Sequence, residues 1–208
     1  MHKEAIDERT KRVWNKIAET GIAGHFYLAG GTVLAVHLGH RKSIDLDFFS
    51  QENFSTSDLK RQLSRIGEIV LLGESDGTLH MTVDHVMVSF FHYGYGLLFP
   101  LINFEGLVLA DERDIAAMKL DAVSSRGSKK DFIDIYELLK KYTLAELIDF
   151  FEKKYAGIRY NMLHILKSLI YFDDADGEPP PVMLRDADWD NIKQSIRQSV
   201  AAFSTERK

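Results

Sequence analysis

Residues 28–49 read LAGGTVLAVHLGHRKSIDLDFF, and the order of elements in this segment is the strongest indication of the fold. The aromatic and apolar run 25–29, which leads into it, is typical of a short buried strand. A glycine pair follows, and the next apolar residues, 32–38, suit a short helix that ends at Gly39. The run 43–49 alternates polar with apolar side chains, as in a strand with one acidic face. The stretch therefore predicts a strand, a tight turn, a short helix and a second strand.

Two carboxylates on the second strand, Asp45 and Asp47, are the first candidates for chemistry. Side chains at positions i and i+2 of a strand project from the same face, about 7 Å apart. Two like charges held this close raise the pKa of one of them unless a cation lies between them. Mg²⁺ or Mn²⁺ meets this need, because such an ion accepts carboxylates and completes its shell with water and phosphate oxygens. The alternative is a solvent-facing edge strand with ordinary acids.

The glycine pair upstream, Gly30 and Gly31, favours the metal interpretation. Glycine lets a backbone approach a ligand closely, and the helix that starts near Thr32 presents unpaired N–H groups to an anion at its N-terminus. Arg41 and Ser43 follow, before the two acids. This order of elements predicts a phosphate cradle that faces the acidic strand.

A second group of charged residues lies on predicted helices in the C-terminal half. Lys119 and Arg126 fall on the apolar stripe of one helix, and Asp131 and Asp134 fall on or beside the apolar stripe of the next. A cation on an inward face needs an anion, which is either a structural carboxylate or a bound phosphate. The sequence leaves two interpretations open: a salt bridge that joins the helices, or a network that lines a cleft opposite the acidic strand.

The remaining pattern divides the chain into two parts. Besides the strands above, the first part has a lead-in helix and β-rich runs, predicted over 4–20, 66–72, 79–93 and 107–110. From residue 111 onward the pattern is helical, with helices predicted over 111–125, 131–141, 144–155, 160–172 and 189–203. We therefore expect an α/β lobe with a mixed or antiparallel sheet over 1–110 and a helical lobe over 111–208.

Composition excludes several classes of protein. The 208 residues contain no cysteine, which removes disulfides, thiolate zinc sites and a cysteine nucleophile. No apolar run approaches the roughly 20 residues that span a bilayer, and the N-terminal residues are charged throughout, so we expect a cytoplasmic protein without a membrane partner. The net charge of −5 disfavours a broad nonspecific nucleic-acid footprint.

The glycine turn with its paired acids and the charged residues of the C-terminal helices both resemble motifs of one family. Residues 28–35 and 39–49 resemble the first motif of the AbiEii/AbiGii toxin family of nucleotidyltransferases, a branch of the DNA polymerase β-like superfamily. Residues 114–122, together with Arg126 and residues 130–136, resemble the family's later lysine and aspartate motifs. The resemblance implies an α+β fold, in which a polymerase-β-like sheet with flanking helices is followed by a C-terminal helical lobe.

The resemblance also implies an activity and partners. A Mg²⁺-dependent enzyme of this kind transfers a nucleoside monophosphate from a nucleoside triphosphate to an acceptor hydroxyl. Characterised relatives are toxins of toxin–antitoxin or phage-exclusion systems, and some modify the acceptor end of tRNA. We therefore expect a nucleoside triphosphate as substrate, tRNA or another RNA as acceptor, and an antitoxin protein as partner.

The roles implied by the resemblance fall on the residues already singled out. Asp45 and Asp47 would bind metal and act in catalysis, together with Lys119, Asp131 and Asp134. The residues expected to contact the triphosphate are Gly30, Gly31, Thr32, Arg41, Ser43, Lys119 and Arg126.

The chain departs from the superfamily at one position. A third metal-binding acid commonly lies on a later strand, whereas residues 86–91 offer Ser89 and no carboxylate. Asp84, which is nearby, is expected to be a turn residue. The missing acid favours an inactive nucleotide-binding or partner-binding module as one alternative. The acidic net charge favours a small-molecule nucleotidyltransferase as another.

Overall fold

The computed structural model describes residues 1–206, and a mixed seven-stranded sheet lies at its centre, as expected for an α+β protein. The strands are β1 (Tyr27–Ala29), β2 (Leu46–Ser50), β3 (Ile69–Ser75), β4 (Thr78–Val83), β5 (Val86–His92), β6 (Ile102–Phe104) and β7 (Leu107–Leu109). They lie side by side in the order β3-β4-β5-β2-β1-β7-β6. Strand β2 is antiparallel to β1 and parallel to β5, which makes the sheet mixed.

Helices surround this sheet and fill the C-terminal half. They are α1 (Glu8–Ala18), α2 (Gly30–Leu38), α3 (Thr56–Leu63), α4 (Glu112–Ser125), α5 (Lys129–Leu139), α6 (Leu144–Lys154), α7 (Met162–Ser168), α8 (Asp173–Asp176) and α9 (Trp189–Glu206). Helix α4 packs against α2, α5, α6 and α7, so the glycine turn at the start of α2 rests on the charged helices. The division into lobes at residue 110 stays a prediction.

Several boundaries differ from the predicted ones for local reasons. The lead-in helix is shorter than 4–20, because Asp7 caps α1 by accepting the Thr10 N–H at 2.7 Å. The helix predicted over 160–172 begins only after Asn161, whose side chain accepts the His164 N–H. Strand β6 and helices α3 and α8 were not predicted, since each is short and carries little periodic signal.

The start of β2 corrects the predicted strand 43–49. Strand β2 begins at Leu46, so Asp47 lies within it and Asp45 lies just before it. The preceding backbone groups are bonded elsewhere: the Ser43 N–H donates to the Ala5 carbonyl at 2.8 Å, and the Thr32 hydroxyl donates to the Asp45 carbonyl. Asp45 is therefore held by the turn at α2 rather than by the sheet.

The hairpin between β4 and β5 confirms the turn predicted at Asp84, and the turn also includes His85. Both residues have positive φ, 48° and 65°, as expected for the tight turns that join antiparallel strands. The Asp84 carboxylate accepts the Glu68 N–H at 3.0 Å and the Lys16 ammonium at 2.7 Å. Asp84 is thus a turn residue with structural partners.

None of the helices within residues 1–206 is both long enough and apolar enough to cross a membrane.

Candidate active site

A cavity of about 210 Å³ opens where β2, the start of α2 and α4 meet. Its wall contains the residues that the sequence assigned to metal and phosphate: Gly30, Gly31, Thr32, Arg41, Ser43, Asp45, Asp47, Lys119 and Arg126. Asp131 and Asp134 do not line it within the part of the chain that the structure describes. The fold therefore brings the two constellations together, with the helical acids behind the wall.

The glycine turn leaves room for a ligand at the start of α2. Gly30 has a φ of +74°, and a Cβ placed on it would lie 2.8 Å from Asp47 Oδ2. A Cβ placed on Gly31 would lie 2.6 Å from Arg41 Nη2. Helix α2 starts at Gly30, two residues earlier than predicted, and no side chain of residues 1–206 caps it. Its first N–H groups are therefore available to an anion.

We expect Gly30→Ala to lower stability and to displace Asp47. A left-handed conformation costs a non-glycine residue about 1–2 kcal/mol, and the added Cβ would collide with the Asp47 carboxylate. Chemical denaturation and Mn²⁺ titration measure the two effects. Gly94→Ala is the control, because open space surrounds Gly94 and its stability change should stay within about 0.5 kcal/mol. Unchanged Mn²⁺ affinity in Gly30→Ala would contradict this geometry.

The two acids face the cavity without protein partners. Neither the Asp45 nor the Asp47 carboxylate makes a side-chain hydrogen bond or ion pair within residues 1–206. Burial raises the pKa of Asp47, and the neighbouring charge of Asp45 raises it further, against the opposing effect of Lys119 and other cations. The expected conflict between like charges is therefore present.

This donor set fits a hard divalent cation that shares its shell with substrate. Two adjacent carboxylates suffice for Mg²⁺, which keeps several waters and takes phosphate oxygens as further ligands. Ser89 pairs with Asp47 in the parallel register of β2 and β5, at the position expected for a third acid, and its hydroxyl is hydrogen-bonded to His80 Nδ1 at 3.1 Å. Within residues 1–206 no group of three or more acidic, histidine or cysteine side chains could hold a metal alone.

The cationic side of the cavity is held by buried acids. Arg41 makes a two-pronged contact with Asp134, at 2.7 and 2.8 Å. Lys119 Nζ lies between Asp131 and Asp134, at 2.8 and 2.6 Å. Both acids are fully buried. The salt bridge predicted between the two helices is therefore present, and Lys119 also reaches the cavity.

Electrostatics keep these buried groups charged. Burial acts to raise the pKa of Asp134, but Arg41 and Lys119 outweigh it and hold that pKa well below its ordinary value. The pKa of Asp131 is lowered in the same way, with Lys119 outweighing burial. Burial opposes the charge of Lys119, yet Asp134 and Asp131 raise its pKa. The geometry gives Asp131 and Asp134 a positioning role; their direct participation in catalysis stays a prediction.

The inward placement predicted for Arg126 is wrong. Its side chain is 66% exposed, although it lines the cavity rim and lies 3.4 Å from Asp131. The reason is local: Arg126 is the C-cap of α4, and its φ of −136° takes it off the apolar stripe of the helix. Arg126 is therefore accessible to a ligand.

Several further residues of the site were not predicted, and three of them show why. Phe49 and Phe91 line the cavity, and their rings stack with centroids 5.1 Å apart. Phe49 follows Asp47 by two positions, so the spacing that pairs the acids could also have found it. His40 is fully buried, and its Nε2 lies 2.7 Å from Asp134 Oδ1. No local pattern marks His40 or Phe91, since each depends on a distant partner.

The mixed sheet, the paired acids beside a glycine turn and the cationic wall define the nucleotidyltransferase class. The profile of the family described as nucleotidyl transferase AbiEii toxin, type IV toxin–antitoxin system, matches residues 12–95. Uncharacterized protein aq_aa25 of Aquifex aeolicus (strain VF5) is 35% identical over 206 residues, which are 95% of this chain and 97% of that protein. The chain belongs to the AbiEii family of nucleotidyltransferase toxins.

Solved structures share the fold over nearly the whole chain. A candidate nucleotidyltransferase from H. pylori has a TM-score of 0.60 at 14% identity, covering 99% of this chain and 97% of its own. The nucleotidyltransferase toxin MenT4 from Mycobacterium tuberculosis H37Rv has a TM-score of 0.58 at 13% identity, covering 94% of this chain and 85% of its own. At such low identity these similarities concern the fold.

Proposed function

We propose that the protein transfers a nucleoside monophosphate from a nucleoside triphosphate to a hydroxyl of an RNA acceptor, tRNA included. One observation carries the proposal: two unpartnered acids, Asp45 and Asp47, face an uncapped helix N-terminus and a cationic wall across one cavity. The acids suit a dication, and the N-terminus and cations suit a polyphosphate. Such a cavity is electrostatically complementary to a metal-bound triphosphate.

Different residues of the chain bind the phosphates, position the cations and hold the metal. The N–H groups of Gly31 and Thr32, together with Arg41 and Lys119, bind the phosphates that become pyrophosphate. Because Asp131 and Asp134 fix the cations in place, these charges need no rearrangement during the reaction. Mg²⁺ or Mn²⁺ held by Asp45 and Asp47 would neutralise charge at the reacting phosphorus and activate the attacking hydroxyl.

The acceptor oxygen forms a bond to the α-phosphorus while the bond from that phosphorus to the bridging oxygen breaks. The α-phosphate and its nucleoside remain on the acceptor, pyrophosphate leaves, and the proton of the acceptor hydroxyl is released to solvent. The family description names a toxin of a toxin–antitoxin system, so we include a cognate antitoxin and action in the cytoplasm, where RNA and triphosphates meet, in the proposal.

The decisive experiment supplies each of the four α-labelled nucleoside triphosphates with Mg²⁺ and, in separate reactions, purified tRNA, total RNA or a cell extract that also contains small metabolites. We expect label to enter RNA, to prefer one nucleotide, and to vanish with a chelator or in the double variant Asp45→Ala/Asp47→Ala. Label in a small molecule would replace RNA by a metabolite as acceptor. Triphosphate binding without Mg²⁺ and without turnover would identify an inactive nucleotide-binding module, the alternative that Ser89 favours.

A further inference from the structure

A second cavity, of about 260 Å³, also has Asp45 in its wall. It lies between the first turn of α1 and the β4–β5 hairpin, and we call it the acceptor groove. Its other lining residues include Asp7, Arg9, Ile44, Thr82, His85 and Met87. A transferase needs two substrate sites that meet at its reacting centre. The two cavities share an acid that already faces the proposed triphosphate site.

We infer that the acceptor groove binds the terminal nucleotide of a single-stranded RNA and presents its hydroxyl at Asp45. This inference rests on the proposed function and names a separate binding site for the second substrate. Three features of the groove carry it: a cation that makes no ion pair within residues 1–206, exposed apolar side chains beside Asp45, and an open path along the sheet.

The cation is Arg9, which is exposed and makes no ion pair within residues 1–206. The acids next to it in the chain have other hydrogen-bond or ion-pair partners. Asp7 caps α1 by accepting the Thr10 N–H at 2.7 Å, and Glu8 pairs with Lys11 at 2.8 Å. The Thr10 N–H and, less strongly, the charge of Arg9 lower the pKa of the nearby Asp7, but the Arg9 guanidinium makes no hydrogen bond or ion pair within residues 1–206. Its planar fork can therefore hold a phosphate.

The apolar side chains are Ile44 and Met87, which are 56% and 38% exposed. Met87 pairs with Thr82 in the register of β4 and β5 and lies two residues before Ser89, so it shares the sheet face of Asp47. A flat, apolar base can cover Ile44 and Met87, while Thr82 offers a hydroxyl to the ribose or base edge. Sheet faces of this mixed character bind unpaired bases in other RNA-binding folds.

The open path favours a polymer over a small molecule. Val70 pairs with Thr82 at the edge strand β3 and is 47% exposed, so the face that carries the groove continues outward to solvent. The opposite face is buried, with Met81 and Val83 fully inaccessible. A chain that enters the groove by its end can leave along β3, whereas a small acceptor would have no wall on that side.

Binding of a labelled single-stranded RNA of about twelve nucleotides tests the groove directly. Fluorescence anisotropy is followed without nucleotide or Mg²⁺, so that the result is independent of transfer. We expect Arg9→Glu to weaken binding about tenfold and to reduce the slope of affinity against salt by about one. Arg12→Glu is the matched control, because Arg12 is exposed on the same helix, carries the same charge and does not line the groove.

Transfer assays give the second readout. We expect Arg9→Glu and Met87→Glu to raise the KM for RNA about tenfold while leaving the KM for the triphosphate and the thermal midpoint unchanged. Equal losses in Arg9→Glu and Arg12→Glu, or no binding by the unchanged protein, would overturn the inference. If the Arg9→Glu variant transfers nucleotides to RNA as efficiently as the unchanged protein, the acceptor groove is refuted and the proposed function is not. RNA binding that depends on Arg9, without any transfer, refutes the proposed function alone.

Discussion

Asp47→Asn should reduce nucleotidyl transfer by a factor of about 10² to 10³ while leaving the protein at least as stable as before. Asparagine keeps the shape of the side chain but removes the charge that a dication and the reacting phosphate require. The same charge is unfavourable in the folded protein, because burial and then Asp45 raise the pKa of Asp47. Replacing one carboxylate oxygen of Asp47 by an amide nitrogen is therefore expected to lower activity and to raise stability.

The sign of the stability effect depends on pH and on metal. A group whose pKa is raised by folding favours the folded state only when protonated, so charged Asp47 costs stability at neutral pH. The advantage of Asp47→Asn should therefore be present at neutral pH and disappear as the pH falls below about 4, where Asp47 is protonated in both states. Added Mg²⁺ should raise the thermal midpoint of the unchanged protein and not that of the variant.

Steady-state transfer rates and thermal unfolding with and without Mg²⁺ measure both effects. Asp76→Asn is the control, because Asp76 is exposed in the β3–β4 turn and asparagine suits such a turn equally well. It should change neither quantity. A stable Asp47→Asn protein that transfers nucleotides at the ordinary rate would remove Asp47 from the mechanism.

Asp134→Asn should lower the free energy of unfolding by about 3–5 kcal/mol, the range for breaking a buried ion pair. Asp134 is fully buried and is the shared partner of Arg41 and Lys119. Removing its charge leaves two buried cations with only Asp131 to balance Lys119. Urea denaturation at neutral pH measures the change.

Two comparisons isolate the cause of this loss. Asp149→Asn breaks an exposed pair with Lys153 at 2.6 Å and should cost at most about 1 kcal/mol. Because the pKa of Asp134 is lowered, its stabilising effect is present above the ordinary pKa of aspartate and is lost as the pH falls through the lowered value. The gap between the unchanged protein and Asp134→Asn should therefore narrow in strong acid. A gap that is constant with pH would assign the loss to packing instead.

Much of the site could be predicted because its signals are local. The order of strand, glycine turn, helix and paired acids occupies residues 28–49, and its spacing fixes which side chains share a face. Helix ends follow the same logic, as in the reciprocal contacts of Thr143 and Glu146 at the start of α6. A charged side chain on the inward face of a helix also predicts a partner of opposite charge, since a buried Lys119 requires an acid such as Asp131.

Long-range geometry could not be predicted in the same way. The placement of Ser89 beside Asp47 depends on the parallel register of β2 and β5, which no turn between them specifies. Phe91 reaches the cavity through the same register. The acceptor groove likewise needs α1 to lie against the β4–β5 hairpin, at a distance in sequence that no periodicity reports.

The sequence alone predicts the residues proposed for chemistry, namely two acids, a glycine turn and inward cations with matching acids, because spacing along a strand or helix sets which neighbours share a face. The spatial arrangement of these residues follows only from the tertiary structure. In the folded chain Asp45 lies just before the strand, and Arg126 is exposed at a helix end. A second cavity also has Asp45 in its wall. The reason is that sheet register and helix packing are set by burial over the whole core, which acts between residues far apart in the chain.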